Sequence, residues 1–380
     1  MSHDSARSAA SGNGSKRVRY AVVGIGWIAQ EAVLPAFQNA PNSELVALVT
    51  GNPKKAQEVG RKYHVKQTVG YDEYDELLAS GSIDAVYIAL PNHQHREFTV
   101  RAARAGAHVL CEKPMAETEL ECMEMIDAAQ EGGVKLMIAY RLHFEEANLQ
   151  AIETVKSGKI GEPRFFTSVF SQSVAEGNVR LKRDLGGGPL MDMGVYCINA
   201  ARYIFREEPV EASAFKVQGT DKRFEEVPEM VSGVLRFSGS RLATFTCSFG
   251  AAATDSYRVI GTKGDLRLEP AYDYHEPLES YLTVDGKTEK KTFEKRDQFG
   301  AELLYFSNCI LNNEKPQPSG QEGLADVRII RALATSMDSG MAVDVRPGVP
   351  QERPSPEREI ELPPVKPPQP VEAASPTGKI

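Results

Sequence analysis

Short, continuous apolar runs alternate with helix-length segments over the first third of the chain. The apolar runs predict five strands, at Val18–Gly24, Leu45–Thr50, Ala85–Leu90, His108–Glu112 and Lys135–Tyr140. Strands without polar interruptions are typical of a parallel sheet that is buried on both faces. The intervening segments predict helices at Ala29–Asn39, Pro53–Tyr63, Tyr71–Ala79, His95–Ala105 and Glu117–Glu131. This alternation predicts a doubly wound α/β domain over residues 17–140.

The pattern changes after Tyr140. Two helices are predicted, at Phe144–Ser157 and Leu190–Phe205, and turn residues then separate short β-rich segments between Val210 and Thr292. Such a series of short strands favours an antiparallel sheet. Two more helices are predicted before residue 345. We therefore expect residues 141–345 to form an α+β domain with a large, open, mostly antiparallel sheet.

Both ends of the chain differ in composition from the body. Residues 1–16 are rich in Ser, Ala and Gly with few apolar anchors, which predicts a flexible arm. Residues 346–380 hold ten of the 23 prolines. Such a segment is unable to form a packed core and favours an extended, solvated tail. We expect removal of this proline-rich tail to leave the stability and the activity nearly unchanged. Docking of an extended segment through Ile360 and Leu362 is the alternative.

The overall composition excludes several functional classes. The chain has 380 residues, is 41% hydrophobic and carries a formal net charge of −8, which argues against general nucleic-acid binding. No apolar run reaches the roughly 18 residues of a membrane helix, and the N-terminus lacks the apolar segment of a signal peptide. The five cysteines are scattered and odd in number, so neither a disulfide framework nor a metal site is predicted. A cytoplasmic location is expected.

A glycine motif, Gly24-Ile-Gly-Trp-Ile-Ala29, connects the first predicted strand to the first predicted helix. Gly24 permits the tight turn, and Gly26 lets the backbone approach a pyrophosphate that binds at the N-terminus of the helix. Ala29 takes the third small position, where the helix meets the strand. The motif at this place predicts a Rossmann domain that binds a dinucleotide, with an ordinary glycine turn as the alternative.

The end of the second predicted strand indicates which dinucleotide is bound. Domains that prefer NAD carry Asp or Glu here to bind the ribose 2′-hydroxyl, and this chain has no acid between Val49 and Lys55. Thr50 offers a hydroxyl, and Lys54 and Lys55 offer positive charge that suits a 2′-phosphate. NADP(H) is therefore favoured over NAD(H), unless the lysines only begin a solvated helix.

Two further segments carry candidate chemistry. Lys113, in Glu112-Lys113-Pro114, ends a predicted strand at the edge of the sheet where doubly wound domains bind ligands. Asp192 and Tyr196 are four residues apart and therefore lie on one face of a predicted helix. Periodicity alone leaves two interpretations of this polar pair open, as satisfied core residues or as residues of a site.

These motifs together resemble the glucose–fructose oxidoreductase and inositol dehydrogenase (Gfo/Idh/MocA) family, over roughly residues 17–340. The resemblance rests on four stretches, which are GIGWIA from Gly24, ALPNHQH from Ala89, EKP from Glu112 and GGGPLMDMGVY from Gly186. The last stretch is most similar to the glucose–fructose oxidoreductase branch.

The resemblance implies an NADP-dependent oxidoreductase that transfers hydride between nicotinamide and a sugar. The favoured centre is C1 of a pyranose aldose, and reduction of a lactone or ketose is included. A xylose or trans-dihydrodiol dehydrogenase and a deoxysugar ketoreductase stay open as alternatives. An alternative of another class is a non-catalytic regulator that binds NADP or a sugar. The family also implies a homodimer or homotetramer that forms through the C-terminal sheet.

In this interpretation, Tyr196 donates and accepts the proton of the reaction. The ordinary pKa of a tyrosine is about 10, and the nearby ammonium of Lys113 is expected to lower it and to bind the reacting oxygen. Asp192 is expected to bind a neighbouring sugar hydroxyl and to hold Lys113 in place. Arg141 and His143, where the two domains join, are further candidates for substrate contact.

The expected cofactor contacts are spread over several strand ends. They are Gly24, Gly26, Trp27, Ile28, Thr50, Lys55, Leu90, Asn92, His95, Glu112 and Lys113. For His95 a helix-cap role is the alternative to a contact. Arg180, Lys182 and Arg183 are interpreted as a solvated basic cluster, with a place at the mouth of the cleft as the alternative. The cysteines are interpreted as packing residues.

Overall fold

A six-stranded parallel sheet forms the first half of the molecule. The computed structural model describes residues 16–349 and 352–378, so the predicted flexible arm lies outside the described residues except for Lys16. The strand order is β3-β2-β1-β4-β5-β6, and every neighbouring pair is parallel. The strands are β1 (Val18–Val23), β2 (Ser43–Val49), β3 (Gln67–Val69), β4 (Ala85–Ile88), β5 (His108–Glu112) and β6 (Leu136–Ala139). This topology confirms the predicted doubly wound sheet.

Helices connect these strands where the sequence predicts them. They are α1 (Leu34–Ala36), α2 (Pro53–Lys62), α3 (Tyr74–Ala79), α4 (His95–Arg104) and α5 (Glu119–Glu131). The first connection is irregular, because a π-helical turn at Ala29–Val33 precedes α1 and a 3₁₀ turn at Phe37–Asn39 follows it. Pro35 lies inside this segment and has no N–H to donate to the preceding turn, which accounts for the departure from a single α-helix.

A nine-stranded sheet forms the second half. Its order is β14-β13-β12-β11-β7-β10-β9-β8-β15. Its strands are β7 (Pro163–Ser171), β8 (Pro209–Val217), β9 (Met230–Phe237), β10 (Arg241–Ser248), β11 (Thr254–Gly261), β12 (Gly264–Leu268), β13 (Leu278–Val284), β14 (Lys287–Phe293) and β15 (Val343–Asp344). Only the β7–β10 pair is parallel among these described strands. The predicted large, mostly antiparallel sheet is confirmed.

The remaining helices pack this sheet and join it to the first domain. They are α6 (Glu146–Lys156), α7 (Val195–Phe205), α8 (Gln298–Leu311) and α9 (Gly320–Ser339). A π-helical turn at Leu190–Gly194 leads into α7. Short 3₁₀ turns occur at Asn92–Gln94, Arg141–Phe144, Val179–Leu181, Arg183–Leu185, Lys222–Phe224 and Pro356–Arg358. None of the helices in residues 16–349 and 352–378 is long and apolar enough to cross a membrane.

Helix α8 packs against the first domain. Phe299, Leu303 and Phe306 are buried in one hydrophobic cluster with side chains of β1. Beside them, the Tyr20 hydroxyl and the Ser307 hydroxyl are hydrogen-bonded at 2.8 Å. The two domains therefore share a continuous apolar contact, which holds the cleft between them in place.

The proline-rich tail is extended but lies on the body of the protein. Ile360 N donates to Phe144 O at 3.3 Å, and Asp297 N donates to Leu362 O at 3.1 Å. Val371 is buried. The expectation of a solvated tail is therefore wrong for the described part of the tail, because isolated apolar side chains and backbone hydrogen bonds attach it at intervals.

Candidate active site

Two adjoining cavities lie between the domains, at the C-terminal ends of the parallel strands. The first, which we call the glycine cavity, measures about 290 Å³ and is lined by Gly24, Gly26, Thr50 and Lys55. The second, the tyrosine cavity, measures about 370 Å³ and is lined by Lys113, Asp192 and Tyr196 together with aromatic residues. Trp27, Ile28, Leu90, Asn92, Arg180 and Asp192 line both cavities. A ligand in one cavity therefore lies against a ligand in the other.

The backbone of the glycine motif leaves space for a phosphate group. Gly24 has a φ of +87°, and a Cβ there would lie 2.7 Å from Ala89 O, so no other residue fits this turn. A Cβ on Gly26 would meet nothing within 4 Å, although the residue faces the glycine cavity. The N-terminus of the following helical turn opens into this space, where its N–H groups favour an anion.

Thr50 and Lys55 line the far end of the glycine cavity, where a ribose would lie. Asn52 caps α2 there by accepting from Lys55 N at 3.1 Å, which directs the first turn of the helix toward the cavity. Partial burial lowers the pKa of the Lys55 ammonium from its ordinary value, and the carboxylate of Glu372 opposes this shift. Among the described lining residues of this cavity the acid is Asp192, which belongs to the opposite domain. These groups fit a ribose with a 2′-phosphate.

His95 does not line either cavity. It is fully buried, with Nε2 at 2.9 Å from Leu90 O and Nδ1 at 2.9 Å from Pro114 O. This position does not fit the predicted cofactor contact, because the ring lies behind the loops after β4 and β5. His95 instead ties together the two strand ends that carry Leu90 and Lys113.

Lys113 and Asp192 form an ion pair across the two domains. Lys113 Nζ donates to Asp192 Oδ1 at 3.2 Å and to Asp192 O at 3.0 Å. Arg180 Nε donates to the other carboxylate oxygen, Asp192 Oδ2, at 2.7 Å. Burial alone would raise the pKa of Asp192, but the charges of Arg180 and Lys113 outweigh it and hold this pKa well below its usual range. Asp192 is therefore ionised and fixes two cations at the cavity wall.

Glu112 is hydrogen-bonded to the backbone of Lys113 and to the Tyr87 hydroxyl. The Tyr87 hydroxyl donates to Glu112 Oε1 at 2.8 Å, and Lys113 N donates to Glu112 Oε2 at 3.3 Å. Burial raises the pKa of Glu112 from its ordinary value, against the opposing effect of Lys113 and Tyr87. Glu112 and Lys113 line the tyrosine cavity and not the glycine cavity. Their predicted contact with the cofactor stays a prediction.

Two cations flank the ring of Tyr196. Lys113 Nζ lies 4.8 Å from the ring centroid, and Arg141 Nε donates to the phenolic oxygen at 3.3 Å. Arg141 is itself held by Tyr272 O and Gln298 Oε1. The direct charged contact of the phenolic oxygen is therefore Arg141, whereas the expected partner Lys113 lies over the face of the ring.

His143 lies outside the cavities. It is buried, its Nδ1 is 3.4 Å from the Tyr203 hydroxyl, and its ring packs against Phe144 and Tyr203. Burial lowers the pKa of His143 well below its ordinary value. This position does not fit the predicted substrate contact, because the ring belongs to the packing between the domains.

The glycine-rich loop of the second domain closes over the first domain. Asn92 Nδ2 donates to Gly186 O at 2.7 Å. Gly186 has a φ of +75°, and a Cβ there would lie 2.7 Å from the Cβ of Asn92. This close approach requires glycine and brings Arg180 and Asp192 to the cavities.

Several residues of the site carry no signal in the sequence. Arg180, interpreted as part of a solvated cluster, is bound to Asp192 and lines both cavities. Tyr272, Tyr274 and Gln298 surround Arg141 from segments more than 100 residues distant along the chain. No motif or period relates these positions, so only the fold reveals them. No group of three or more metal-ligating side chains occurs among the described residues.

Comparisons with known proteins agree with this architecture. Residues 18–140 match the model of the oxidoreductase family with an NAD-binding Rossmann fold, and residues 148–267 match the GFO/IDH/MocA C-terminal domain. A D-xylose 1-dehydrogenase (NADP+) from Haloarcula marismortui is 32% identical over 337 residues, which are 86% of this chain and 93% of that protein.

Solved structures are similar over the same extent. The aldose–aldose oxidoreductase from Caulobacter crescentus, complexed with glycerol, has 36% identity and a TM-score of 0.83, over 87% of this chain and 100% of that one. A 3-ketoreductase from Actinomadura kijaniata, in complex with NADP and TDP-benzene, has 26% identity and a TM-score of 0.79, over 84% of this chain and 98% of that one. The chain therefore belongs to the GFO/IDH/MocA family of oxidoreductases.

Proposed function

We propose that this oxidoreductase oxidises or reduces a sugar at a C–OH/C=O centre with NADP(H), and that C1 of a pyranose aldose is the reacting carbon. The observation that carries the proposal is the meeting of Lys113, Asp192 and Tyr196 beside a cavity that adjoins the glycine cavity. A binding protein needs no such proton-transfer group, so a non-catalytic regulator is disfavoured. The similarity to an NADP-dependent xylose dehydrogenase and to an aldose–aldose oxidoreductase supports an aldose over other sugars.

The glycine cavity is where NADP(H) binds in this proposal. Gly24 and Gly26 approach the pyrophosphate, and Thr50 and Lys55 bind the phosphorylated ribose. Trp27, Ile28, Leu90 and Asn92 lie between the two cavities. The nicotinamide, when bound, supplies or accepts the hydride, and the chain supplies the proton transfer and the alignment.

Tyr196 transfers the proton at the reacting oxygen. Tyr196 lines the tyrosine cavity, and its hydroxyl accepts a hydrogen bond from Arg141. Lys113 binds the same oxygen of the sugar, since it lines the cavity and its ammonium lies beside the ring of Tyr196. Burial alone would lower the pKa of Lys113, but Tyr196, Asp192 and Glu112 outweigh it and raise this pKa. Lys113 therefore stays positively charged.

The charge distribution favours an oxyanion at this place. Lys113, Arg141 and Arg180 approach the cavity, and Asp192 neutralises part of their charge. Fixed positive groups in a partly buried cleft stabilise the negative charge that develops on the sugar oxygen during hydride transfer. Asp192 positions two of these cations and needs no contact with the substrate to do so.

An assembly through the nine-stranded sheet is the second part of the proposal. One face of this sheet packs on helices. The other face exposes large apolar side chains among polar ones on four neighbouring strands, namely Phe165, Val169, Phe215, Val234 and Leu242. Several large apolar side chains exposed on one face are typical of a protein–protein interface. We propose a homodimer or homotetramer that covers this face, and a cytoplasmic location.

A turnover assay with a panel of sugars tests the proposed function. The purified chain is mixed with NADP+ and separate free aldoses, and with NADPH and lactones or ketoses, and nicotinamide absorbance is followed. We expect turnover of at least one aldose with NADP+, and almost none in the Lys113→Met variant. Binding of NADPH without turnover of any sugar would contradict the proposal and favour a regulator.

A further inference from the structure

The last segment of the proline-rich tail is attached to the start of the dinucleotide-binding domain. We call residues 371–377 the tail tip. Val371 N donates to Gln30 Oε1 at 2.7 Å, and Gln30 Nε2 donates back to Val371 O at 2.9 Å. Gln30 is 2% exposed and lies in the helical turn that follows the glycine motif. The buried side-chain amide of Gln30 thus forms both a donor and an acceptor hydrogen bond with the backbone of the tail.

The other end of the tail tip reaches the second domain. Ala175 N donates to Pro376 O at 2.8 Å, and Ala175 lies in the loop between β7 and Arg180. Glu372 Oε2 accepts from Asn52 Nδ2 at 2.6 Å. Because its two ends are bonded to different domains, the tail tip crosses the opening between them.

The tail tip contributes directly to the tyrosine cavity. Ser375, Pro376 and Thr377 line this cavity together with Lys113 and Tyr196. The hydroxyls of Ser375 and Thr377 are 3.3 Å apart. Part of the wall of this cavity is therefore made by the tail, and it carries hydroxyl groups of the kind that bind sugar hydroxyls.

We propose that the tail tip is the outer wall of the sugar site and restricts the enzyme to monosaccharides. This inference rests on the proposed function. The cavity, with the tail in place, measures about 370 Å³, near the lower end of the roughly 300–1,000 Å³ of small-molecule sites. A reducing disaccharide presents the same free C1 as a monosaccharide but carries a second ring, which meets the tail tip. Specificity of this kind arises from a clash built against the larger ligand.

A truncation that removes residues 371–380 tests the inference. Turnover of D-glucose and of cellobiose with NADP+ is compared between the full chain, this variant and a control that lacks only residues 379–380. NADPH binding is followed by calorimetric titration. We expect the ratio of kcat/KM for cellobiose to that for glucose to rise by at least about tenfold in the first truncation, within the range of pocket discrimination. It stays constant in the control.

A point variant decides the question if the first truncation fails to bind NADPH. Thr377→Trp adds bulk at the cavity wall and is expected to raise the KM for glucose about tenfold with NADPH binding unchanged. Glu361→Trp, on an exposed part of the same tail, is its control. Two results would overturn this inference and leave the proposed function intact. One is an unchanged kcat/KM ratio in a truncated protein that still binds NADPH, and the other is an unchanged KM for glucose in Thr377→Trp. Absence of turnover by the full chain with every sugar overturns the proposed function and this inference with it.

Discussion

Asp192 makes the closest charged contacts among the residues of the site. Its carboxylate bridges Lys113 of the first domain and Arg180 of the second, at 3.2 and 2.7 Å. Removing one charge of such a group leaves the remaining charges without compensation, which is costly where they are shielded from water. A substitution of Asp192 is therefore expected to affect both the catalytic rate and the free energy of unfolding.

The first prediction concerns the proton-transfer group. Tyr196→Phe removes the hydroxyl that Arg141 holds and is expected to lower kcat by about 10²–10⁴-fold. The affinity for NADPH is expected to stay the same, because the phenol does not line the glycine cavity. Steady-state kinetics and a binding titration check both. Tyr274→Phe, in the same cavity wall, is the control, and full kcat in Tyr196→Phe would sink the mechanism.

The second prediction concerns Asp192→Asn. Loss of the charge releases Lys113 and Arg180, and we expect kcat to fall by about 10²-fold, as for misplacement of a reacting group. If the side chain only held a sugar hydroxyl, KM would rise instead and kcat would remain. Asp184→Asn, on the exposed surface of the neighbouring turn, is the control. Kinetics at saturating sugar distinguish the two outcomes.

The same substitution has a pH-dependent effect on stability. The pKa of Asp192 is lower in the folded than in the unfolded chain, so its stabilising effect is present above the unfolded value of about 3.9 and is lost as the pH falls below it. The difference in free energy of unfolding between the wild type and Asp192→Asn is therefore expected to be largest near pH 7 and smaller at pH 3. Denaturant unfolding at both pH values measures it, and a constant difference would contradict the electrostatic role.

The third prediction concerns cofactor choice. Thr50→Asp places a carboxylate at the ribose end of the glycine cavity, near Lys55. Like charges that meet in an interface cost several kcal/mol, so the affinity for NADP+ is expected to fall by at least about tenfold while that for NAD+ is kept. Calorimetric titration of both cofactors measures the change, with Thr50→Ser as the control. Equal binding of NAD+ and NADP+ by the unmodified chain would refute this interpretation of the pocket.

At the scale of elements, the site is formed by loops that follow strands of the parallel sheet and by the proline-rich tail. The loops after β1, β4 and β5 meet the turn before α7, and the Asn92–Gly186 contact fixes this meeting. The tail is attached to the same body by a buried ionic group. Arg353 contacts Glu208 and Glu322, which also bind the fully buried Arg202. Arg202 also contacts the buried Asp326, so two cations face three carboxylates there.

The fourth prediction tests this anchor. Arg353→Met leaves Glu208 and Glu322 with one cation fewer and is expected to destabilise the protein by about 3 kcal/mol, as when one partner of a buried ion pair is removed. Burial would raise the pKa of Glu208, but Arg202 and Arg353 lower it to about 2, so the effect is expected above about pH 4.3 and declines as the pH falls toward 2. Denaturant unfolding measures it. The exposed Arg346→Met should be nearly neutral, and an equally small effect of Arg353→Met would contradict the anchor.

At the scale of the whole molecule, the two sheets have different tasks. The glycine cavity lies at the ends of the strands of the parallel sheet. The nine-stranded sheet packs against helices on one face and exposes apolar side chains on the other. Helix α8 and the tail both cross from one domain to the other. The cleft is therefore enclosed by the fold as a unit.

The fifth prediction concerns assembly. Val234→Asp introduces a charge into the exposed apolar face of the nine-stranded sheet and is expected to shift the protein from an oligomer to a monomer. Leu120→Asp, at a similarly exposed apolar position on α5, is the control and should leave the assembly unchanged. Sedimentation velocity measures the mass of each. A monomeric wild type would exclude the sheet face as a stable interface.

The local features of the site follow from the sequence alone. A glycine motif between a strand and a helix has one favourable conformation, so the turn at Gly24 and Gly26 is predictable. Residues four apart on a helix share a face, so it is also predictable that Asp192 and Tyr196 point to the same side. The strands β3 and β15 are not, because segments of three and two residues carry no detectable period.

The tertiary structure decides which distant groups meet. Arg180 is partly buried because it binds Asp192, which approaches it across a folded loop. His143 lies outside the site because side chains of both domains pack around it. The tail lies on the body because Gln30 and Arg353 find partners that no local pattern encodes. Contacts between residues far apart in sequence depend on the whole arrangement of the core, and a local pattern contains no information about it.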